Sequence, residues 1–442
     1  MSVHGDGDDE PPAAPRGLAS SRRFWRTVWL IAGAGLIARI TYVTVMAKHA
    51  PLGLDATWYS FQAGTIDGGA GYVDPHTYFT TGKAVATANF PPAWPILLAA
   101  VHHAGIETER AFRIVGALVG TTTIVSTAAI GRRLLGSRVG VVAAALVACS
   151  PYLIATDGSL MSESLYLAFV AGAVLATIVA SEHGRLREWC LAGLLFGFAS
   201  LTRTDGVIVA VVVIGVAAVR SRVTGRRMLL TAGCAIATCL AVLVPWTVRN
   251  SVRLGGIVVL SSNSGSAIAG ANCARTYAGP FLGAWDVRCE HLVGGREELR
   301  SAAEDRRRGL DYAVHHAGRL VSVVVPVRVL RGWGLWDPRA QVDLEAVESR
   351  NAKFQYVGWV MELGLLSTAV AGFVIARRRR EVGVLVALVG AATIVLVVSW
   401  GNQRLRLVAE PALAVFAAQA VVTWTSRRPG VRVTPKMASS PS

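Results

Sequence analysis

Acidic charge is scarce in this sequence. Its 442 residues contain 28 Asp and Glu against 44 Lys and Arg, and charged residues of both signs make up only 16% of the chain. With 53% hydrophobic residues and a mean hydropathy of +0.47, that shortage excludes a single soluble domain, whose core could not hide so much apolar surface. Cysteine is sparse as well, 6 in all, and metal-ligand spacing is absent, which excludes a zinc module. A formal net charge of +16 raises the question of nucleic acid. The basic residues fall in short loops between apolar runs, not along one face of a soluble domain, so that class is excluded too.

What the sequence does have is apolar blocks of roughly 18 to 22 residues, close to the ~20 that carry a helix across a ~30 Å hydrocarbon layer. Helix is the default there, because backbone polar groups find no water to bond. Spans are expected at about 27 to 47, 111 to 130, 139 to 156, 164 to 181, 189 to 202, 206 to 219, 228 to 247, 356 to 376, 382 to 400 and 405 to 425. Arg22 and Arg23, the loop from Arg132 to Arg138, Arg220 to Arg227, Arg377 to Arg380, and Arg427 with Arg428 then all fall on the inner side. The expected fold class is an all-α polytopic protein of the plasma membrane, with about 10 transmembrane helices in a range of about 9 to 12 and both termini cytoplasmic. Its parts are a disordered tail over 1–21, a membrane core over 22–247 with a first outer loop at 48–110, an extracytoplasmic region over 248–355, C-terminal transmembrane helices over 356–426, and a second tail over 427–442.

The run Phe90-Pro91-Pro92-Ala93-Trp94-Pro95 and the apolar residues to Ala104 are too short to span and open on three prolines, which predicts an interfacial helix. Short amphipathic pieces and turns around Gly68-Gly69-Ala70-Gly71-Tyr72 and Asp74-Pro75-His76 complete the first outer loop. In the second outer segment, Cys273 and Cys289 fall on the oxidising side, where they form a disulfide or remain two free thiols. Trp285, Trp333 and Trp336 in the same segment either shape an acceptor site or anchor it at the interface.

Acids on the outer side are few enough to weigh singly. Asp55 follows the first span and precedes Tyr59 at helical spacing; it is a cap at the membrane edge or a carboxylate for acid-base work. Glu163, at the handover from the third span to the fourth, is a first-turn carboxylate facing a helix dipole or a partner of Asp55, with Asp157 its nearby competitor. Arg203, Arg249, Arg404 and Arg406 sit at outer ends of spans, where the positive-inside rule predicts few cations. A phosphate gives such arginines a reason to be there, because the guanidinium fork pairs bidentately with phosphate oxygens; snorkelling, or pairing with Asp205 and Glu410, is the other reading. Arg319, Arg328 and Arg331 either serve the same site or float a second interfacial helix.

Taken together, Asp55, the Gly69-Ala70-Gly71-Tyr72 turn, Phe90-Pro91-Pro92-Ala93-Trp94-Pro95, Glu163, Leu201-Thr202-Arg203, and Arg404-Leu405-Arg406 with Glu410-Pro411 resemble the C-type (GT-C) membrane glycosyltransferases. The branch they look like holds the protein O-mannosyltransferases and the lipid A aminoarabinose transferases. The resemblance implies transfer of a sugar from a polyprenyl-phosphate donor to a lipid, glycan or protein acceptor at the outer face of the bilayer. Asp55 would be the base and Glu163 the second acidic catalytic residue, Arg203, Arg249, Arg404 and Arg406 the phosphate clamp, and Tyr59, Tyr72 and His76 substrate contacts. A divalent cation is the one cofactor it leaves room for, although Leu54 and Ala56 flank Asp55 where many relatives carry a second acid. The rival expectation is a transporter or flippase of a lipid-linked or anionic substrate; no convincing internal repeat supports it.

Overall fold

The structure is a computed structural model and describes residues 16–221, 225–290 and 297–426. The expected tails at 1–15 and 427–442, and the inner-loop residues 222–224, lie outside the described residues. Among those described there is no strand, only an isolated bridge between Val73 and Ala86.

The first helix, α1 (Arg16–Thr41), starts within the stretch expected to be tail and runs on as a π turn at Tyr42–Met46. The first outer loop holds α2 (Leu54–Asp67), α3 (Pro75–Thr81) and α4 (Ala93–His103), the last over the proline-led apolar run. After α5 (Glu109–Leu135), the span expected at 139 to 156 proves to be two helices, α6 (Ser137–Cys149) and α7 (Pro151–Asp157), bent by 59°. Proline is the reason. Pro151 has no N–H for α6, and it holds Ser150 extended, at ψ 115°, where the Ser150 side chain caps α7 by accepting from the N–H of Leu153.

There follow α8 (Glu163–His183), α9 (Leu186–Thr202), α10 (Gly206–Arg220) and α11 (Gly225–Leu254). The second outer segment contains α12 (Ser264–Ala271), α13 (Glu298–His315), α14 (Ala317–Arg319), a π turn, α15 (Val325–Gly332) and α16 (Pro338–Val347), and a disulfide between Cys273 and Cys289, with Cα atoms 6.3 Å apart. The chain closes with α17 (Ala352–Ala376), α18 (Gly383–Val398), α19 (Gln403–Arg406) and α20 (Glu410–Ser426).

Each expected span thus meets a helix, but among the described residues seven helices are long and apolar enough to cross by themselves, or up to nine if each bent pair is one span. The shortfall lies in α9 and α10, whose 17 and 15 residues reach only about 26 and 22 Å at ~1.5 Å per residue. One of the bent pairs, residues 298 to 332 with an 82° turn, was not among the expected spans.

Helix α20 is the hub, buried along nearly all its length from Glu410 to Ala420. Small residues let helices approach it and one another closely. A Cβ on Gly372 of α17 would lie 1.7 Å from the Phe416 carbonyl, and one on Gly193 of α9 would lie 2.1 Å from that of Ala235 in α11. The short helix α19 leads straight into α20, so its arginines are mounted on the best-packed part of the bundle. Above them, Ala56, Tyr59 and Ala63 of α2 pack on Trp94 and Leu98 of α4, with Leu160 and Met161 from the α7–α8 turn.

Candidate active site

Five chain segments meet at one end of the bundle. Gly53 starts α2 and places Asp55 in its first turn. Its N–H donates to Ser349 Oγ at 2.9 Å, and that hydroxyl donates to the Pro51 carbonyl. A Cβ at Gly53 would sit 2.7 Å from Glu348 Oε2 and 2.8 Å from the Val347 carbonyl, so only glycine lets the turn after α16 lie against the start of α2. Glu163 opens α8, and Arg203 and Asp205 form the α9–α10 junction. Asn402 caps α19 by accepting from the Arg404 N–H at 2.8 Å.

Arg404 is the centre of the site. Its Nε donates to Glu163 Oε1 at 2.6 Å, Nη1 to Glu348 Oε1 at 2.8 Å and Nη2 to Asp55 Oδ2 at 3.2 Å. Arg203 donates from Nη1 to the same Glu163 oxygen at 3.0 Å and from Nε to Asp205 Oδ1 at 3.1 Å. The acids differ sharply in access, with side chains 28% exposed at Asp55, 18% at Glu348 and 1% at Glu163. Burial, reinforced by Asp55 and Glu163 and opposed by Arg404 and Arg350, pushes the Glu348 carboxyl up to about 7. Tyr59 lies against the cluster with its hydroxyl 3.5 Å from Ser162 Oγ, and burial first, then Asp55, lifts its phenol above the ordinary range.

The structure therefore brings together Asp55, Glu163, Arg203, Arg404 and Tyr59, and places the other expected residues elsewhere. Arg406 is two residues from Arg404 on a helix, so the two side chains leave on different sides. It is wholly buried on Glu410 at 2.6 Å and Glu362 at 2.9 Å, between the rings of Tyr152 and Trp333. Arg249 lies over Tyr72 and Trp246 and donates to the carbonyls of Thr87 and Tyr72. Its fork is taken by those carbonyls and by Asn250 Oδ1 at 3.1 Å, so the structure places both arginines outside the cluster around Arg404. The Tyr72 hydroxyl donates to the Phe90 carbonyl at 2.9 Å in a buried setting, and His76 is exposed on α3. Asp157 is taken by Arg39 at 2.6 Å in a layer beneath the site, which removes it as the competitor of Glu163.

Glu348 was not foreseen. The run Asp343-Leu344-Glu345-Ala346-Val347-Glu348 in an acid-poor chain is the signal that marks it. Glu290, next to Cys289, is a second such residue, pushed up to about 7 by burial, with Asp305 and Asp55 adding. Among the described residues no group of three or more His, Cys, Asp or Glu is arranged to hold a metal ion. Asp55, Glu163 and Glu348 converge on the Arg404 guanidinium.

This architecture is that of a multi-pass membrane protein with the C-type glycosyltransferase fold, the class its residues resemble. Residues 89–248 match the family model of dolichyl-phosphate-mannose-protein mannosyltransferases. No curated protein matches the sequence. Among solved structures, the apo oligosaccharyltransferase of Archaeoglobus fulgidus superposes with a TM-score of 0.56 at 16% identity, over 91% of this chain and 50% of that one. The same archaeon's oligosaccharyltransferase AglB, in complex with an inhibitory peptide and a dolichol-phosphate, gives 0.52 at 14% identity, over 92% and 51%. This chain thus spans about half the length of the archaeal enzyme. ArnT from Cupriavidus metallidurans bound to undecaprenyl phosphate gives 0.43 at 14% identity, over 93% and 79%.

Proposed function

We propose that the protein is a glycosyltransferase that moves a sugar from a polyprenyl-phosphate donor to an acceptor hydroxyl at the extracytoplasmic face, with Asp55 as the base. The observation that carries this reading is the pairing of the most accessible acid of the cluster with a half-buried guanidinium, Asp55 Oδ2 lying 3.2 Å from Arg404 Nη2. A hydroxyl is a poor nucleophile until a carboxylate takes its proton, and a phosphate leaves readily when a guanidinium stabilises the charge it gains. In the step itself, the acceptor oxygen bonds to the anomeric carbon as the bond from that carbon to the phosphate oxygen breaks. The hydroxyl proton passes to Asp55, and the phosphate keeps the bonding pair beside Arg404 and Arg203. One displacement inverts the anomeric centre. Glu163 aims both arginines and is a positioning residue. The prenyl tail stays in lipid through burial of its methylenes.

The orientation has support of its own. Arg132 lies over Phe24 at 4.5 Å, Arg379 reaches the Leu134 carbonyl at 3.4 Å and Arg220 that of Arg380 at 3.3 Å. These basic loops therefore gather at the bundle end away from Asp55, and the positive-inside rule puts that end in the cytoplasm with the start of α1 and the end of α20. The regions 22–247, 248–355 and 356–426 then read as membrane core, extracytoplasmic segment and C-terminal helices.

Transfer of radiolabelled sugar from polyprenyl-phosphate donors to acceptors in membranes holding wild-type protein or Asp55→Asn, at matched expression, tests the reading. A fall of about 10²- to 10⁴-fold in the variant is expected for loss of a general base. Equal transfer by both removes Asp55 from the chemistry. No protein-dependent transfer with any donor favours a flippase of lipid-linked substrates.

A further inference from the structure

Every nitrogen of the Arg404 guanidinium is already engaged, Nε by Glu163, Nη1 by Glu348 and Nη2 by Asp55. A phosphate held by that fork must displace a carboxylate. Charge makes the same point. Around the fork stand four carboxylates, Asp55, Glu163, Asp205 and Glu348, against the two guanidiniums of Arg203 and Arg404, while Glu345 and Arg350 pair with each other alongside. The site is negative before any anion arrives, and like charges in a water-poor setting do not all stay ionised.

The acids are not equally able to yield. Glu163 is buried under two arginines on a membrane helix, Asp205 is held by Arg203, and Asp55 is the base. Glu348 is different. It sits in the turn between α16 and α17, its Oε2 is buried without a hydrogen-bond partner, and the next residue, Ser349, has left-handed backbone at φ 67°. The groups facing it are Arg404 and Arg350, which favour its charge, and Asp55 and Glu163, which oppose it; Glu345 stands on the same helix end.

We propose that Glu348 holds the place of the donor's phosphate on Arg404, and that the donor binds as Glu348 takes up a proton and gives up its bond to Nη1. This rests on the reading of Arg404 as the donor-phosphate site. Its consequence has a definite sign. Glu348, with its carboxyl at about 7, is already neutral well below that pH, where donor affinity is flat. Above it, a proton must be taken up on binding, and affinity falls about tenfold per pH unit.

The test is binding of the methyl ester of undecaprenyl phosphate to the full-length protein in lipid nanodiscs between pH 5.5 and 8.5. Its single phosphodiester charge is constant over that range. Wild type is expected to weaken by about tenfold per unit on the alkaline side and to take up close to one proton at high pH, read by calorimetry in buffers of different ionisation enthalpy. Glu348→Gln, which is isosteric, is expected to bind with no pH dependence and no proton uptake, at least as tightly as wild type at pH 8. Glu348→Asp is expected to keep the pH dependence with a displaced midpoint. An unchanged pH profile in Glu348→Gln, with Arg404→Gln abolishing binding, overturns the proposal and leaves the donor site standing. Binding that is absent in wild type, or indifferent to Arg404→Gln, overturns the donor site and the proposal with it.

Discussion

Replacing Glu163 by glutamine separates a positioning acid from a reacting one. In the wild type one buried oxygen, Oε1, takes the Nε of Arg404 at 2.6 Å and the Nη1 of Arg203 at 3.0 Å. Glutamine keeps an acceptor of the same shape and removes its charge, so two hydrogen bonds between opposite charges become bonds from a guanidinium to a neutral oxygen. Each loses about 1 kcal/mol, about 2 kcal/mol for the pair. If that energy is what aims the two guanidiniums at the leaving phosphate, transfer falls about 30-fold, at ~1.4 kcal/mol per tenfold, with the loss expressed largely in donor KM. The assay is steady-state transfer with the donor concentration varied, run beside Asp55→Asn. Asp55→Asn is expected to lose activity in kcat; Glu163→Gln is expected to lose it mainly in KM. The reasoning is refuted if Glu163→Gln loses 10³-fold or more in kcat at unchanged KM, because Glu163 then handles a proton, or if it changes transfer less than about threefold, because the arginines then need no aiming.

Gly53→Ala puts a methyl group into the space filled by Glu348 Oε2 and the Val347 carbonyl; it is expected to cost about 1–3 kcal/mol of stability by overpacking and to lower transfer by parting α2 from the turn after α16, read by thermal unfolding and transfer in parallel. Arg406→Gln leaves Glu362 and Glu410 facing each other in the bundle and is expected to destabilise by about 3–5 kcal/mol, whereas Arg406→Leu with Glu362→Gln and Glu410→Leu, which removes the charges together, recovers most of the lost melting temperature; failure of that rescue assigns Arg406 a role beyond packing.

Much of the bundle is legible in the sequence because a membrane span is a property of composition over ~20 residues, and α1, α5, α8, α11, α17, α18 and α20 each announce themselves in that way. The break at Pro151 is also written there, in Ser150-Pro151, yet an average over the apolar run from 139 to 156 passes across it. Asp55, Glu163, Arg203 and Arg404 stand out because charge at the outer end of a span demands an explanation. The same criterion selects Arg249 and Arg406 equally well, and it cannot see that one is folded onto backbone carbonyls and the other onto acids of its own bundle. Those are facts about partners, settled by tertiary packing. Glu348 is the complement of that error. It belongs to an acidic run in a polar outer segment, away from the span ends where the criterion looks, and it joins the site through the docking of its turn on Gly53, a contact made 295 positions away along the chain (348 − 53).

The mounting of Arg404 divides the site into a still part and a yielding part. The arginine stands immediately before the most deeply packed helix, so displacing it means repacking the hub, whereas Asp55 and Glu348 ride on connecting segments outside the bundle. Among the acids around the cation, Glu163 is held on a membrane helix, whereas Glu348 stands in a turn. A substitution among these acids can therefore alter the site without repacking the hub that fixes the arginine.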